Sequence, residues 1–124
     1  MNVGVDLAPS GQRVAANDGF IDISNPDGQT VAVDIDITAN AGGLGSLTVS
    51  IYAKDPLTGG RTLLLASAAL AAVAKSSIQV GPGLPATANV SANAPAPKDL
   101  SIGFVHGAGG PIVYSARARL IGSH

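Results

Sequence analysis

Two short motifs, one acidic and one basic, have the spacing that places both of their charges on one face of a β-strand. Asp34 and Asp36 are two residues apart, and so are Arg117 and Arg119. Paired carboxylates could bind Ca²⁺ or perform acid–base chemistry. If the two strands are neighbours, the same residues would form a ladder of ion pairs, each worth about 0.2–1 kcal/mol. We interpret these four residues as an interface or ion-pair face.

The other motifs that could carry chemistry are incomplete. The segment His106-Gly-Ala-Gly-Gly110 is similar to the oxyanion loop of esterases, but the chain has no Gly-x-Ser-x-Gly elbow to supply a nucleophile, so we interpret the segment as a hairpin turn. Asp18, Asp22 and Asp27 lack the spacing and the bidentate Glu of an EF-hand loop, so we interpret them as turn or surface acids. The glycines of the 39–45 loop are not followed by the Lys of a phosphate-binding loop. We therefore expect no catalytic residue, no metal site, no cofactor and no enzymatic activity.

Alternation of apolar and polar residues with a period of two predicts the strands that hold these charges. The alternation is clearest over residues 30–38, 47–52 and 112–120, and we expect the first two of these strands to pair as an antiparallel hairpin. Shorter strands are predicted over residues 3–7, 12–15, 20–23, 77–80 and 100–104. Seven to nine short strands are typical of a sandwich or barrel. We predict an all-β, single-domain antiparallel β-sandwich, of jelly-roll or immunoglobulin-like order, with little helix.

One segment is ambiguous between helix and strand. Residues 62–75 are rich in Ala and Leu, which favour a helix. A buried strand over residues 62–68 competes with it, since strands covered on both faces are continuously apolar. We favour the strand, because no N-cap or terminal Gly brackets the segment and its neighbours are strands.

The whole chain, residues 1–124, is interpreted as one domain. We interpret residues 1–29 as a candidate N-terminal arm and residues 122–124 as a candidate tag remnant. Residues 81–97 contain prolines spaced through small residues, which predicts an extended connection rather than paired strands. A long connection in a small domain is often functional, for example as an interface arm.

Composition excludes several classes of partner. The net charge of −1 provides no field that would attract nucleic acid or an anionic membrane. The aromatic side chains are two Phe and two Tyr, which are few for stacking on bases or sugars. The chain has no Cys, so no disulfide can form, and we expect neither a secretory signal nor a membrane segment.

The order of short motifs between residues 44 and 121 resembles that of small proteins encoded among the head genes of tailed bacteriophages. Some of these proteins are taken to be capsid decoration, or cement, proteins. The motifs that carry the resemblance are Leu47-Thr-Val-Ser-Ile51, Lys54-Asp-Pro-Leu-Thr-Gly59, Leu64-Leu-Ala-Ser-Ala-Ala69, Val80-Gly-Pro-Gly-Leu84, Ala88-Asn-Val90, Ala92-Asn-Ala94, the stretch 102–107 and Tyr114-Ser115.

The resemblance implies a virion component that is assembled in the host cytoplasm and sits on the capsid surface. It implies a homotrimer whose partner is the major capsid protein and whose function is to stabilise the shell by bridging neighbouring capsomers. One alternative is another phage structural module, such as part of a tail or head fibre. The other is a ligand- or carbohydrate-binding β-sandwich.

Overall fold

A computed structural model describes residues 2–13, 19–24, 30–40, 45–55, 57–71, 73–81, 84, 86–93, 98–107 and 112–121. Within residues 2–13 it describes the backbone and the side chain of Leu7. Nine strands lie in the described part of the chain: β1 (Asn2–Arg13), β2 (Gly19–Ser24), β3 (Thr30–Ala39), β4 (Leu47–Lys54), β5 (Arg61–Ala66), β6 (Lys75–Gly81), β7 (Ser91–Asn93), β8 (Asp99–His106) and β9 (Ile112–Ile121).

The strands form two sheets with a nested order of pairing. One sheet has the order β1-β9-β3-β6-β7 and the other the order β2-β8-β4-β5. All pairs are antiparallel except β6 with β7. With the short β7 set aside, the first strand pairs with the last, the second with the last but one, β3 with β6, and β4 with β5. This is a long hairpin wound into two layers, so the β-sandwich is confirmed and its order is that of a jelly roll.

The core lies between the two sheets and is almost entirely aliphatic. Alternate residues of β3 (Val31, Val33, Ile35 and Ile37) are at most 1% exposed, which is the burial that their spacing predicts. The opposite layer supplies buried residues at the same period, among them Leu47, Val49, Ile51, Leu100 and Ile102. Each such side chain contributes about 1.5–3 kcal/mol through removal of its surface from water.

A polar contact lies inside this apolar core. The Nε2 atom of His106 and the hydroxyl oxygen of Tyr114 are 2.6 Å apart, and both residues are buried. The Tyr114 ring stacks on the rings of both His106 and Phe104. Because buried polar groups need hydrogen-bond partners, this contact allows the two side chains to fill the end of the sandwich. The sequence interpretation placed His106 in a hairpin turn, whereas it is the last residue of β8.

The predicted hairpin of residues 30–38 with residues 47–52 is wrong. Strands β3 and β4 lie in different sheets, so the chain crosses from one layer to the other between them. Asn40 stabilises this crossing, because its side-chain amide donates to the carbonyl oxygens of Gly45 and Ala71. Its side-chain oxygen also accepts the Gly45 N–H. The two strands face each other across the core instead of lying side by side.

Residues 1–29 are more than an N-terminal arm, because their described parts belong to both sheets. β1 pairs with β9 and β2 pairs with β8. The predicted short strand over residues 12–15 begins inside β1, and residues 14 and 15 lie outside the described residues.

Residues 81–97 are not only an extended connection, since they contain β7, which pairs in parallel with β6. The ambiguous segment 62–75 contains strand β5, as favoured. The predicted tag remnant, residues 122–124, lies outside the described residues, as do Asp18, Asp27, Gly42 and Gly43.

Candidate functional site

The outward side of the five-stranded sheet holds the four charged residues that the sequence analysis singled out. β3 and β9 are neighbours, as the ion-pair hypothesis requires, with Asp34 opposite Arg117 in register. The ion pair, however, joins Asp34 to Arg119, whose Nε and Nη2 atoms lie 2.5 Å and 3.0 Å from the two carboxylate oxygens. These hydrogen bonds raise the pKa of the Arg119 guanidinium. Because both side chains are well exposed, the pair contributes at most about 1 kcal/mol.

The other two predicted residues line an open cleft beside this pair. Asp36 lies opposite Lys75 of β6 and Ser115 of β9. No ion pair joins Asp36 to Arg117 within the described ranges. Of the two ion pairs expected between β3 and β9, only the one at Asp34 is therefore present among the described residues. The cleft has a volume of about 480 Å³ and is lined by Asp34, Asp36, Lys75, Ser77, Ser115 and Arg117. We call Asp34, Asp36, Lys75, Arg117 and Arg119 the charged face.

The outward side of the four-stranded sheet has a different character, because two aromatic rings meet on it. The rings of Phe20 and Tyr52 are 5.5 Å apart between centroids and lie edge to face at 71°. They meet above Gly103, which lies opposite Phe20 on β8. A Cβ atom at Gly103 would come within 3.0 Å of the Tyr52 ring and 3.2 Å of the Phe20 ring. The glycine therefore leaves the space that the two rings occupy.

Arg61 of β5 completes this arrangement by lying over the Phe20 ring. Its guanidinium carbon is 4.0 Å from the ring centroid, a distance typical of a cation–π contact. Its Nε donates to the hydroxyl of Ser101 at 2.9 Å, and its Nη2 lies 3.7 Å from a carboxylate oxygen of Asp22. Lys54 donates a hydrogen bond to the other carboxylate oxygen of Asp22. Asp22 is thus held between two cations.

Large apolar side chains remain exposed on the same sheet. Phe20 is 51% exposed, Leu63 of β5 is 54% exposed and Val105 of β8 is 55% exposed. We call Phe20, Tyr52, Arg61, Leu63 and Val105 the aromatic face. Aromatic residues and Arg are enriched at protein–protein interfaces and in their energetic hot spots. The arrangement is suited to binding a second flat protein surface.

The aromatic face was not among the predictions from sequence, although the sequence contains one signal for it. Phe20 and Tyr52 occupy the polar phase of their alternating strands, where an aromatic side chain points away from the core. Half of the chain's four aromatic side chains are therefore on the surface. Asp22, interpreted from sequence only as a turn or surface acid, lies within a strand and binds Lys54.

Acid is expected to weaken the Asp22 network. Hydrogen bonds from Lys54 and then from Ser101 hold the pKa of the Asp22 carboxyl below its ordinary value of 3.8. A lowered pKa in the folded state stabilises the fold above the unfolded-state value, and this stabilisation is lost as the pH falls through the folded-state value. The free energy of unfolding, measured with urea at neutral pH and again below pH 3.8, should fall on acidification, and less so in the Asp22→Asn variant.

Asp99→Asn is the matched control. Asp99 and Asp22 line one cleft on the outward side of the four-stranded sheet, so this variant removes the same charge nearby and leaves the Asp22–Lys54 hydrogen bond intact. It should keep the wild-type loss of stability in acid. An Asp22→Asn variant that loses as much stability as the wild type would contradict this account.

Two kinds of feature are absent from the described part of the chain. No group of three or more His, Cys, Asp or Glu side chains there is arranged to hold a metal ion. No helix among the described residues is long and apolar enough to cross a membrane.

Comparison with known proteins gives a structural likeness but no family. No protein-family model matches the chain, and no curated protein matches it. A solved structure of infectious bursal disease virus, Gx strain, is similar to this chain with a TM-score of 0.47 and 13% sequence identity. The likeness covers 98% of this chain and 33% of the viral chain, so this chain spans about a third of that protein's length.

Proposed function

We propose that this chain is a structural protein of a virus particle, and that it stabilises a capsid by bridging neighbouring capsid subunits. The observation that carries the proposal is the nested strand order, because the eight-stranded jelly roll is a fold of viral capsid domains. The resemblance of residues 44–121 to phage head-region proteins supports the same role. Since one fold serves many functions, the surfaces have to supply the rest of the argument.

We assign the capsid contact to the charged face. Its charges alternate in sign from strand to strand, with Arg117 on β9, Asp34 and Asp36 on β3, and Lys75 on β6. Such a pattern of charges fixes the register and orientation of the protein on a complementary surface. It also disfavours binding to surfaces whose charges do not match. Individual contacts of this kind are weak, but a lattice of capsid subunits engages many of them together. The partner in this proposal is the major capsid protein.

Binding to empty shells tests the proposal. Purified protein is added to undecorated shells of the major capsid protein encoded in the same genome, and bound protein is measured after sedimentation. We expect saturable binding at a fixed ratio to capsid subunits and greater resistance of the shells to heat. Absence of binding would overturn the bridging role.

A pair of variants with equal charge changes tests the assigned surface. Arg117→Asp reverses an exposed charge at the centre of the charged face, and we expect it to weaken shell binding at least tenfold, or about 1.4 kcal/mol. Lys98→Asp makes the same charge change at an exposed position just before β8, in the other layer, and should bind as the wild type does. Equal weakening by both variants would show that the contact lies elsewhere.

The position on the particle is a separate part of the proposal. Antibody labelling of purified virions should place the protein on the capsid surface, whereas labelling of a tail or a head fibre would favour the alternative structural module. The homotrimer that the resemblance implies stays a prediction, which the mass of the purified protein in solution tests.

A further inference from the structure

We propose that two copies of this chain pair through their aromatic faces about a two-fold axis that runs parallel to the strands. The pairing does not depend on the capsid role, because it is argued from the surface of the four-stranded sheet alone. It assigns a partner, a second copy of the chain, to the exposed apolar residues of this face.

The first argument is the shape and composition of the face. Beneath the Phe20 and Tyr52 rings, the sheet presents Gly103, Ser50 and Ser101, which are buried small residues. The rings therefore lie close to the backbone, and a second sheet can approach at the usual spacing of about 10 Å. Phe20, Leu63 and Val105 would lose their exposed apolar surface to such a partner, which favours association.

The second argument is the distribution of charge across the same face. Acids lie on one side of the sheet, with Asp22 on β2 and Asp99 on β8. Cations lie on the other side, with Lys54 on β4 and Arg61 on β5. All four are near one end of the strands, because β4 and β5 bring Lys54 opposite Arg61 and β2 and β8 bring Ser24 opposite Asp99.

This distribution selects the direction of the axis. A two-fold axis parallel to the strands places β2 of one copy opposite β5 of the second. Asp99 of each copy then faces Lys54 of the other in register, and β2, which carries Phe20 and Asp22, faces β5 of the second copy, which carries Leu63 and Arg61. An in-plane axis perpendicular to the strands would instead bring the charged end of each copy onto the opposite end, where Val105 and Thr48 lie opposite each other. Complementary charge therefore favours the parallel axis.

The symmetry of the contact also separates it from a trimer. A face that meets itself is an isologous contact and closes with two copies, whereas a three-fold ring joins two different patches. The aromatic face and the charged residues beside it are together complementary to themselves, since the acids Asp22 and Asp99 lie on one side, the cations Lys54 and Arg61 lie on the other, and both edge strands, β2 and β5, carry apolar residues. The mass expected from this surface is that of a dimer.

Sedimentation velocity and light scattering of the purified full chain at tens of micromolar test the pairing. We expect twice the mass of one chain, and a shift toward one chain on dilution. Leu63→Asp should weaken the dimer at least about tenfold, because it places a charge at an apolar contact. Leu57→Asp is the matched control, since Leu57 is 94% exposed in a turn outside the face, and it should remain dimeric.

A charge-exchange experiment tests the axis. Asp99→Lys and Lys54→Asp should each weaken self-pairing, since each variant places like charges together across the contact. Mixing the two variants should restore pairing as a heterodimer, because one acid–base contact is then reversed and the other is native. Circular dichroism and thermal unfolding of each variant verify that it is folded.

Each result of these experiments either supports or overturns the proposed dimer. A dimer that Leu63→Asp dissociates and Leu57→Asp does not, together with heterodimer rescue, supports the proposal. A wild-type chain of single or threefold mass at these concentrations overturns it, as does a dimer that survives Leu63→Asp. A dimer that depends on Leu63 but is not rescued in the mixture overturns the proposed axis.

Discussion

Replacing Tyr114 with alanine is expected to lower the free energy of unfolding by about 3–5 kcal/mol, the range for loss of a large aromatic side chain from a core. Tyr114 is the largest fully buried residue in the described part of the chain, and its ring stacks on those of both Phe104 and His106. Its removal leaves a cavity between the sheets and takes the hydroxyl contact away from a buried imidazole. Because a domain of this kind is stable by only about 5–15 kcal/mol, the change should shift the urea midpoint strongly.

Two controls separate the ring from its hydroxyl and from general loss of aromatic surface. Tyr114→Phe keeps the ring and removes the oxygen 2.6 Å from His106 Nε2, so we expect a smaller loss of about 1–3 kcal/mol. Phe20→Ala removes a ring that is 51% exposed and should cost less than Tyr114→Ala in the same urea titration. If Tyr114→Ala unfolds at the wild-type urea concentration, the described packing at this end of the sandwich is wrong.

The sequence predicts which residues of a strand are buried, because alternation depends only on the chain's own geometry. Apolar residues at alternate positions of β3 and β4, among them Ile35 and Ile51, lie in the core. The same reasoning fails for the pairing of these strands. A period of two specifies a face and not a neighbour, and two apolar faces can meet equally well across a sandwich as beside each other.

The two outward faces differ in how much of them sequence could predict. The charged face includes Asp34, Asp36, Arg117 and Arg119, and their spacing of two residues within each strand is a local property that the sequence shows. The particular partner of Asp34 was not predictable, because the bidentate contact is made diagonally, to Arg119, while Arg117 lies directly opposite in register.

The aromatic face depends on registers among distant strands. Phe20 and Tyr52 meet because Gly103 lies between them on β8, and Arg61 reaches the Phe20 ring from the far edge strand. Each of these relations joins residues far apart in sequence. No local pattern contains them, so the face could be found only once the sheet order was known.

Gly81 provides the second large expected effect and depends on a register of the same kind. Alanine there is expected to destabilise the fold by about 1–3 kcal/mol through overpacking, because its Cβ would lie 2.4 Å from Oγ1 and 2.9 Å from Cβ of Thr30. The Cβ of Thr30 is fixed by its backbone, so strands β3 and β6 would have to separate locally. Gly19→Ala is the matched control, since nothing lies within 4 Å of the added atom.

A double-mutant cycle identifies Thr30 as the cause. Thr30→Ala removes the two nearest atoms, at 2.4 Å and 2.7 Å, and leaves the one at 2.9 Å. Gly81→Ala should therefore cost less in the Thr30→Ala background than in the wild type, with a coupling of about 0.5–3 kcal/mol in the free energy of unfolding. Equal costs in both backgrounds would mean that Thr30 does not limit the space at Gly81. The requirement for glycine at the end of β6 would then have a cause other than the contact with Thr30.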